Sequence, residues 1–197
     1  GEQKNYGAVS GCTNSGAVST SNASAYGIGG IVGWARYDGA APAYATSAPI
    51  TVTGCANSAS VQGGSCAGGI VGTFYNAGTV SGNANTAASI ASSNFAGGIV
   101  GNLQNADISS LPSTVPEGIL VENNVSATPL NAITAPLKGP YAYNNTPSDF
   151  TVRDNGSAWV AQAGATRYAT LAGAFATAPD HSTIKLVSSV SDQPTLS

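Results

Sequence analysis

Charged side chains are scarce in this chain: they make up 8% of its 197 residues, with 6 Lys and Arg against 9 Asp and Glu and a net charge of -3. An average soluble domain carries roughly a quarter. So few basic residues, scattered along the sequence, exclude a nucleic-acid partner, which requires clustered Lys and Arg. One histidine rules out the His-Glu-x-x-His zinc signature. That residue, His181, stands between Asp180 and Ser182 just after Pro179; sequence neighbours rarely assemble a triad, so an exposed turn is expected. No run of 18 apolar residues is present, which excludes a transmembrane helix and membrane insertion of this segment. Methionine is absent and the sequence contains no signal-peptide pattern, so the chain reads as a piece excised from a longer exported protein, with any signal or anchor outside it.

Cysteine is also sparse. Three residues, Cys12, Cys55 and Cys66, allow at most one internal disulfide. Without a Cys-x-x-Cys pair or paired histidines, no metal site is expected, and nothing calls for a cofactor. Gly27-Ile28-Gly29-Gly30 superficially matches a nucleotide loop, but no helical pattern follows it.

What the chain does have is repetition. Gly-Gly-Ile-Val-Gly occurs at 29–33, 68–72 and 97–101, and each copy follows a related phrase: Val9-Ser10-Gly11-Cys12, Val52-Thr53-Gly54-Cys55 and Val80-Ser81-Gly82-Asn83. Taking Val9, Val52 and Val80 as equivalent gives a unit of about 28 residues, lengthened in its first copy by an insertion at Ala35 to Pro49. Repeats of this size usually form stacked units that cannot bury their apolar faces alone. Each unit holds three β-prone stretches, such as 52–54, 60–62 and 69–71, separated by the Gly, Asn and Ser that tight corners require. The expected fold is mainly β: a right-handed parallel β-helix or β-solenoid with three short strands per coil and one short C-terminal helix. Ile31, Ile70 and Ile99 should face one side of a strand and Val32, Val71 and Val100 the other. Cys12 and Cys55 share a repeat position and should stack as buried thiols in neighbouring coils; a disulfide from Cys55 to Cys12 or Cys66 is the alternative.

These three cores and the preceding Val-x-Gly-Cys-x-Asn-Ser phrase resemble the GLUG motif, found in tandem in large bacterial surface and secreted proteins. Examples are adhesins and the non-catalytic parts of some immunoglobulin A proteases. The resemblance covers roughly residues 5–106. It implies an extracellular, cell-surface location and an adhesive or structural role, and it brings no catalytic residue.

Beyond residue 106 the prolines multiply, and Gly118 to Val125 reads as a diverged coil. The expected organisation is 1–106 repeats, 107–157 diverged coil and Pro-rich connection, and 158–197 strand, helix, strand, with a soft boundary near Asp154. In the last segment Tyr168, Leu171, Ala172 and Phe175 fall on one apolar helical face, and Pro179 stops the helix. Tyr168, Thr170, Leu171, Ala174, Phe175, Thr183, Ile184 and Leu186 resemble the opening of pectin-lyase-like β-helix domains. That likeness implies either a cap on the present solenoid or the start of a following domain.

Catalysis finds little support. Residues 5–106 contain one acid, Asp38, and one base, Arg36, so the repeats cannot supply the paired carboxylates of a glycosidase. No catalytic residue is assigned. Binding has better material: Trp34, Tyr37 and Tyr44 cluster around the insertion, and Phe74 and Tyr75 occupy the equivalent position one unit later. Together they could form a platform for sugar stacking or for a protein partner; the alternative is that they fold back over the strand face and hold the insertion down. The sequence therefore points to a non-enzymatic surface segment that binds an extracellular glycan or a host or matrix protein, or serves as a stalk. The rival is a carbohydrate-active β-helix enzyme or its carbohydrate-binding module.

Overall fold

The computed structural model describes residues 2–4, 7–36, 50–104, 118–144 and 150–188. After β1 (Glu2–Lys4) the chain makes four circuits, each of five short strands. The first comprises β2 (Ala8–Ser10), β3 (Thr13–Asn14), β4 (Val18–Ser19), β5 (Ile28–Gly29) and β6 (Val32–Arg36). The second comprises β7 (Ile50–Thr53), β8 (Ala56–Asn57), β9 (Val61–Gln62), β10 (Cys66–Gly68) and β11 (Val71–Tyr75). β12 (Gly78–Ser81), β13 (Ala84–Asn85), β14 (Ile90–Ala91), β15 (Phe95–Gly97) and β16 (Val100–Gln104) form the third. β17 (Ile119–Glu122), β18 (Val125–Ser126), β19 (Ile133–Thr134), β20 (Leu137–Gly139) and β21 (Ala142–Asn144) form the fourth, and β22 (Phe150–Arg153) opens a fifth.

Equivalent strands pair in parallel, giving five sheets: β1-β6-β11-β16-β21, β2-β7-β12-β17-β22, β3-β8-β13-β18, β4-β9-β14-β19 and β5-β10-β15-β20. The expectation of three strands per coil is corrected to five. In the second circuit the two omitted strands, Ala56–Asn57 and Cys66–Gly68, are short and made of Ala, Asn, Cys and Gly. Their pairing comes from the neighbouring circuits, not from intrinsic β-propensity, which is strongly context-dependent.

The register explains the repeat residue by residue. Val9, Val52, Val80, Val121 and Val152 form one column. The residue two places on has a left-handed backbone in every circuit: Gly11 (φ 62), Gly54 (φ 62), Gly82 (φ 65), Asn123 (φ 51) and Asp154 (φ 50). The first and second glycines of the core motif answer to contact instead. A Cβ on Gly68 would lie 1.9 Å from the Val71 carbonyl oxygen, and one on Gly69 would lie 2.2 Å from the Gly98 oxygen and 2.4 Å from Asn85 Cγ. The second glycine thus makes room for a buried asparagine column inside the stack.

In that column Asn14 donates to Asn57 (2.9 Å), Asn57 to Asn85 (3.0 Å) and Asn85 to the Thr128 hydroxyl (2.9 Å). Buried amides of this kind must be fully partnered to be tolerated. Around them lie two apolar clusters, one built on Ile70, Val71, Phe74, Ile99, Val100 and Leu103, the other on Val61, Ile90 and Ile133. Ile70, Val71, Ile99 and Val100 all belong to the first cluster. The expected split of isoleucines and valines onto opposite faces is corrected: the isoleucine precedes the strand at a corner, so both side chains turn inward.

The fourth copy of the core motif is Gly139-Pro140-Tyr141-Ala142-Tyr143, in register with the third through Gly97↔Gly139 and Val100↔Ala142. Proline suits this place. The equivalent Gly30 and Gly69 amides donate to the next circuit (3.2 Å each), and β20 is an edge strand of its sheet, with no further strand beyond it among the described residues to receive such a bond.

A separate antiparallel sheet, β24 (Thr166–Tyr168), β23 (Ala161–Ala163) and β25 (Ile184–Leu186), packs with α1 (Leu171–Thr177). Thr170 caps α1 by accepting from the Gly173 amide. Since Tyr168 belongs to β24, the helical face does not extend back to it. Gly173 and Ala174 are buried, while Phe175 is 48% exposed; this corrects the expected Tyr168, Ala172 and Phe175 face. The unit is held against the corner column of the circuits. Asn123 donates to the Arg167 carbonyl (2.9 Å) and accepts from the Ala169 amide (2.8 Å), and Thr170 donates to Asp154 (3.1 Å). Thus the two corners that replace glycine by Asn and Asp are the two that anchor the C-terminal unit.

Candidate functional site: an aromatic ridge on two circuits

Pairing of β6 with β11 sets Trp34 beside Thr73, Ala35 beside Phe74 and Arg36 beside Tyr75; β16 continues these rows with Asn102, Leu103 and Gln104. Strand alternation divides the rows between two faces. The row of Ala35, Phe74 and Leu103 is fully buried in the core. Phe74 is therefore corrected from platform to core residue, and its ring fills the space where a Cβ on Gly78 would fall, 2.5 Å from Cζ.

The alternate rows carry the candidate site. Tyr26, 40% exposed, meets Trp34 edge to face at a centroid distance of 5.9 Å. Its hydroxyl donates to the Gln104 side-chain oxygen. The Arg36 guanidinium lies 5.4 Å from the centre of the Trp34 ring and 5.7 Å from that of Tyr75, both within cation–π range. Three rings and a cation thus occupy adjoining positions on two circuits.

Beneath the ridge the Cys66 thiol is fully buried, and desolvation pushes its pKa up. Tyr26 is shifted upward as well, chiefly by burial and then by the nearby Cys66. Trp34 Nε1 and Thr73 Oγ1 are buried without a hydrogen-bond partner.

Of the five residues expected to form a platform, Trp34 and Tyr75 meet here through Arg36, and Tyr37 and Tyr44 lie outside the described residues. Tyr26 and Arg36 complete the cluster. The sequence offers only a weak signal for Tyr26, a lone ring in a loop of Ser, Asn and Ala ahead of the first core motif.

A second grouping forms around the corner column. Arg153 pairs with Glu122 at 2.8 Å and approaches Asp154 at 3.9 Å. Glu122 and Asp154 both line a concavity of about 270 Å³ that includes Tyr168 and Thr166. Sharing the Arg153 Nε places one oxygen of each carboxylate at most about 7 Å from the other, an upper limit compatible with the spacings that glycoside hydrolysis uses. Both acids are nevertheless tied into the fold, Glu122 by Arg153 and Asp154 by the Thr170 that caps α1.

His181 is exposed, with a left-handed backbone (φ 62). Among the described residues no three His, Cys, Asp or Glu side chains converge as a metal site, and no helix is long and apolar enough to cross a membrane. All three cysteines are free thiols; Cys55 and Cys66 are buried, while Cys12 is exposed. The expected burial of Cys12 fails because its strand neighbour β3 is the edge of its sheet, with no strand before it among the described residues to cover it.

Compared with known protein families, curated proteins and solved structures, the chain matches none.

Proposed function

We propose that this chain is a non-enzymatic segment of an extracellular bacterial surface protein, a right-handed β-helix that presents the ridge of Tyr26, Trp34, Arg36 and Tyr75 to a glycan or to a host or matrix protein. The observation that carries this reading is the ridge itself. Aromatic rings grouped on one face, with a guanidinium between them, are suited to stacking on a sugar or to packing under a partner's apolar surface. The low charge and the resemblance to GLUG repeats support the same location and role. The test is a screen of the purified chain on a glycan and extracellular-matrix array, repeated with Trp34→Ala and Tyr75→Ala. The reading expects at least one ligand that both variants lose while melting cooperatively. A ligand bound equally by both variants would overturn the ridge, and a chain that binds nothing on either array would leave only the stalk role.

The carboxylate pair favours a second reading, a carbohydrate-active enzyme using Glu122 and Asp154. Reducing-end release from a panel of polysaccharides, abolished in Glu122→Gln and in Asp154→Asn, would establish it; no release by the wild-type chain would remove it.

A further inference from the structure

We propose that Cys12 and Cys55 are a disulfide-forming pair that staples the first circuit to the second. Their column is the residue just after the left-handed corner, and in the later circuits it holds Asn83, Asn124 and Asn155. There the side chains tie one circuit to the next: Asn83 donates to Asn124 (2.9 Å) and Asn124 to Asn155 (3.0 Å). The second circuit is tied to the third in the same way, the Cys55 amide donating to the Asn83 oxygen at 2.8 Å. Only between the first and second circuits does a thiol stand at both positions, and a thiol cannot make the amide's bridge.

The geometry suits a covalent one. The pair is bracketed in register by Val9↔Val52 and Ser10↔Thr53 on one side and Thr13↔Ala56 on the other. Backbone bonds run on both sides of it, from the Gly11 amide to Thr53 (3.1 Å) and from the Ala56 amide to Cys12 (2.8 Å). Residues held this way have Cα atoms about 4.8 Å apart, inside the roughly 4.4–6.8 Å that disulfides span. The Cys55 sulfur reaches both circuits, 3.7 Å from the Val9 carbonyl oxygen of the first and 3.4 Å from the Thr53 carbonyl oxygen of its own. Cys12 is exposed and meets solvent oxidants, while Cys55 lies buried behind it.

The chemistry is thiol–disulfide exchange with a small disulfide such as oxidised glutathione. The Cys12 thiolate attacks one glutathione sulfur, forming a mixed disulfide and expelling the first glutathione thiolate. The Cys55 thiolate then attacks the Cys12 sulfur, the second glutathione leaves, and the Cys12–Cys55 bond forms. The pair gives up two protons and two electrons, and the electrons reduce the glutathione disulfide to two thiols.

The test incubates the full chain with oxidised glutathione, then denatures it and alkylates what remains. The expected product is a monomer lighter by two hydrogens that takes up one alkyl group, on Cys66, and melts roughly 5–10 °C above the reduced chain. Cys66→Ala should keep the mass loss, and Cys12→Ser, a change at an exposed position, should lose both the mass loss and the rise in melting. Three alkylated cysteines, a lasting glutathione adduct or covalent dimer through Cys12, or a mass loss that persists in Cys12→Ser would each overturn the pairing.

Discussion

Replacing Gly69 by Ala tests what the repeated core motif means. Gly69 needs no left-handed backbone, so an added methyl group would be harmless if space allowed. It does not: the Cβ would lie 2.2 Å from the Gly98 carbonyl oxygen, 2.4 Å from Asn85 Cγ and 2.5 Å from Asn85 Nδ2. The carbonyl belongs to the next circuit and cannot move without breaking ladder bonds. Asn85 cannot swing away without releasing the bonds it shares with Asn57 and Thr128. Overpacking of a tight core together with disruption of one or two buried hydrogen bonds amounts to about 3–5 kcal/mol. For a chain of this size that lowers the melting temperature by roughly 6–20 °C. The matched control is Gly54→Ala, where the backbone is left-handed (φ 62) but the nearest atom is 3.9 Å away. Backbone strain alone costs about 1–2 kcal/mol there. Denaturant titration followed by circular dichroism measures both. A Gly69→Ala chain as stable as Gly54→Ala, or within 1 kcal/mol of wild type, would refute the close-contact reasoning.

Other expectations follow from the same contacts. Asn123→Gly keeps the corner conformation but removes both bonds to the C-terminal unit, so hydrogen exchange should accelerate across residues 161–177 while the circuits stay protected; equal acceleration throughout would contradict the docking role. Asn85→Ala interrupts the buried amide column and should destabilise the chain by about 2–4 kcal/mol in denaturant titration. Burial raises the Cys66 pKa in the folded state, so its contribution is intact below the ordinary thiol pKa of about 8.5 and is lost as pH rises through the higher folded value. Melting under reducing conditions should therefore fall as pH rises above that range, and less steeply in Cys66→Ala.

The stack was legible in the sequence because its signals are local and repeated. The first two glycines of the core motif answer to a fixed contact in every copy, so three copies are enough to reveal the parallel repeat. The strands at Ala56–Asn57 and Cys66–Gly68 have no signature in the sequence because their pairing depends on neighbouring circuits, a property no single segment carries. The fourth core motif was hidden for a related reason: at the edge strand of its sheet Pro140 can replace a glycine whose amide meets no further strand among the described residues, and Asn123 and Asp154 can replace corner glycines because they gain bonds to the C-terminal unit. Trp34 and Tyr75 could be proposed from their positions after the core motif. Phe74 is a core residue where a platform residue is expected because one residue of strand alternation separates an outward ring from a core ring, and Tyr26 enters the ridge through a loop whose path has no periodic signature.

The parallel, in-register stacking of circuits can be measured directly by distances along one column. Ser19, Gln62, Ala91 and Thr134 are successive partners in one sheet, and Ser19 and Thr134 are exposed. In a background without the native cysteines, spin labels at Ser19 and Ala91 should report a backbone separation of about 10 Å, and labels at Ser19 and Thr134 about 14 Å, rising by one strand spacing per circuit. Dipolar broadening that is absent from both pairs, or that fails to weaken in this order, would contradict the stacked architecture.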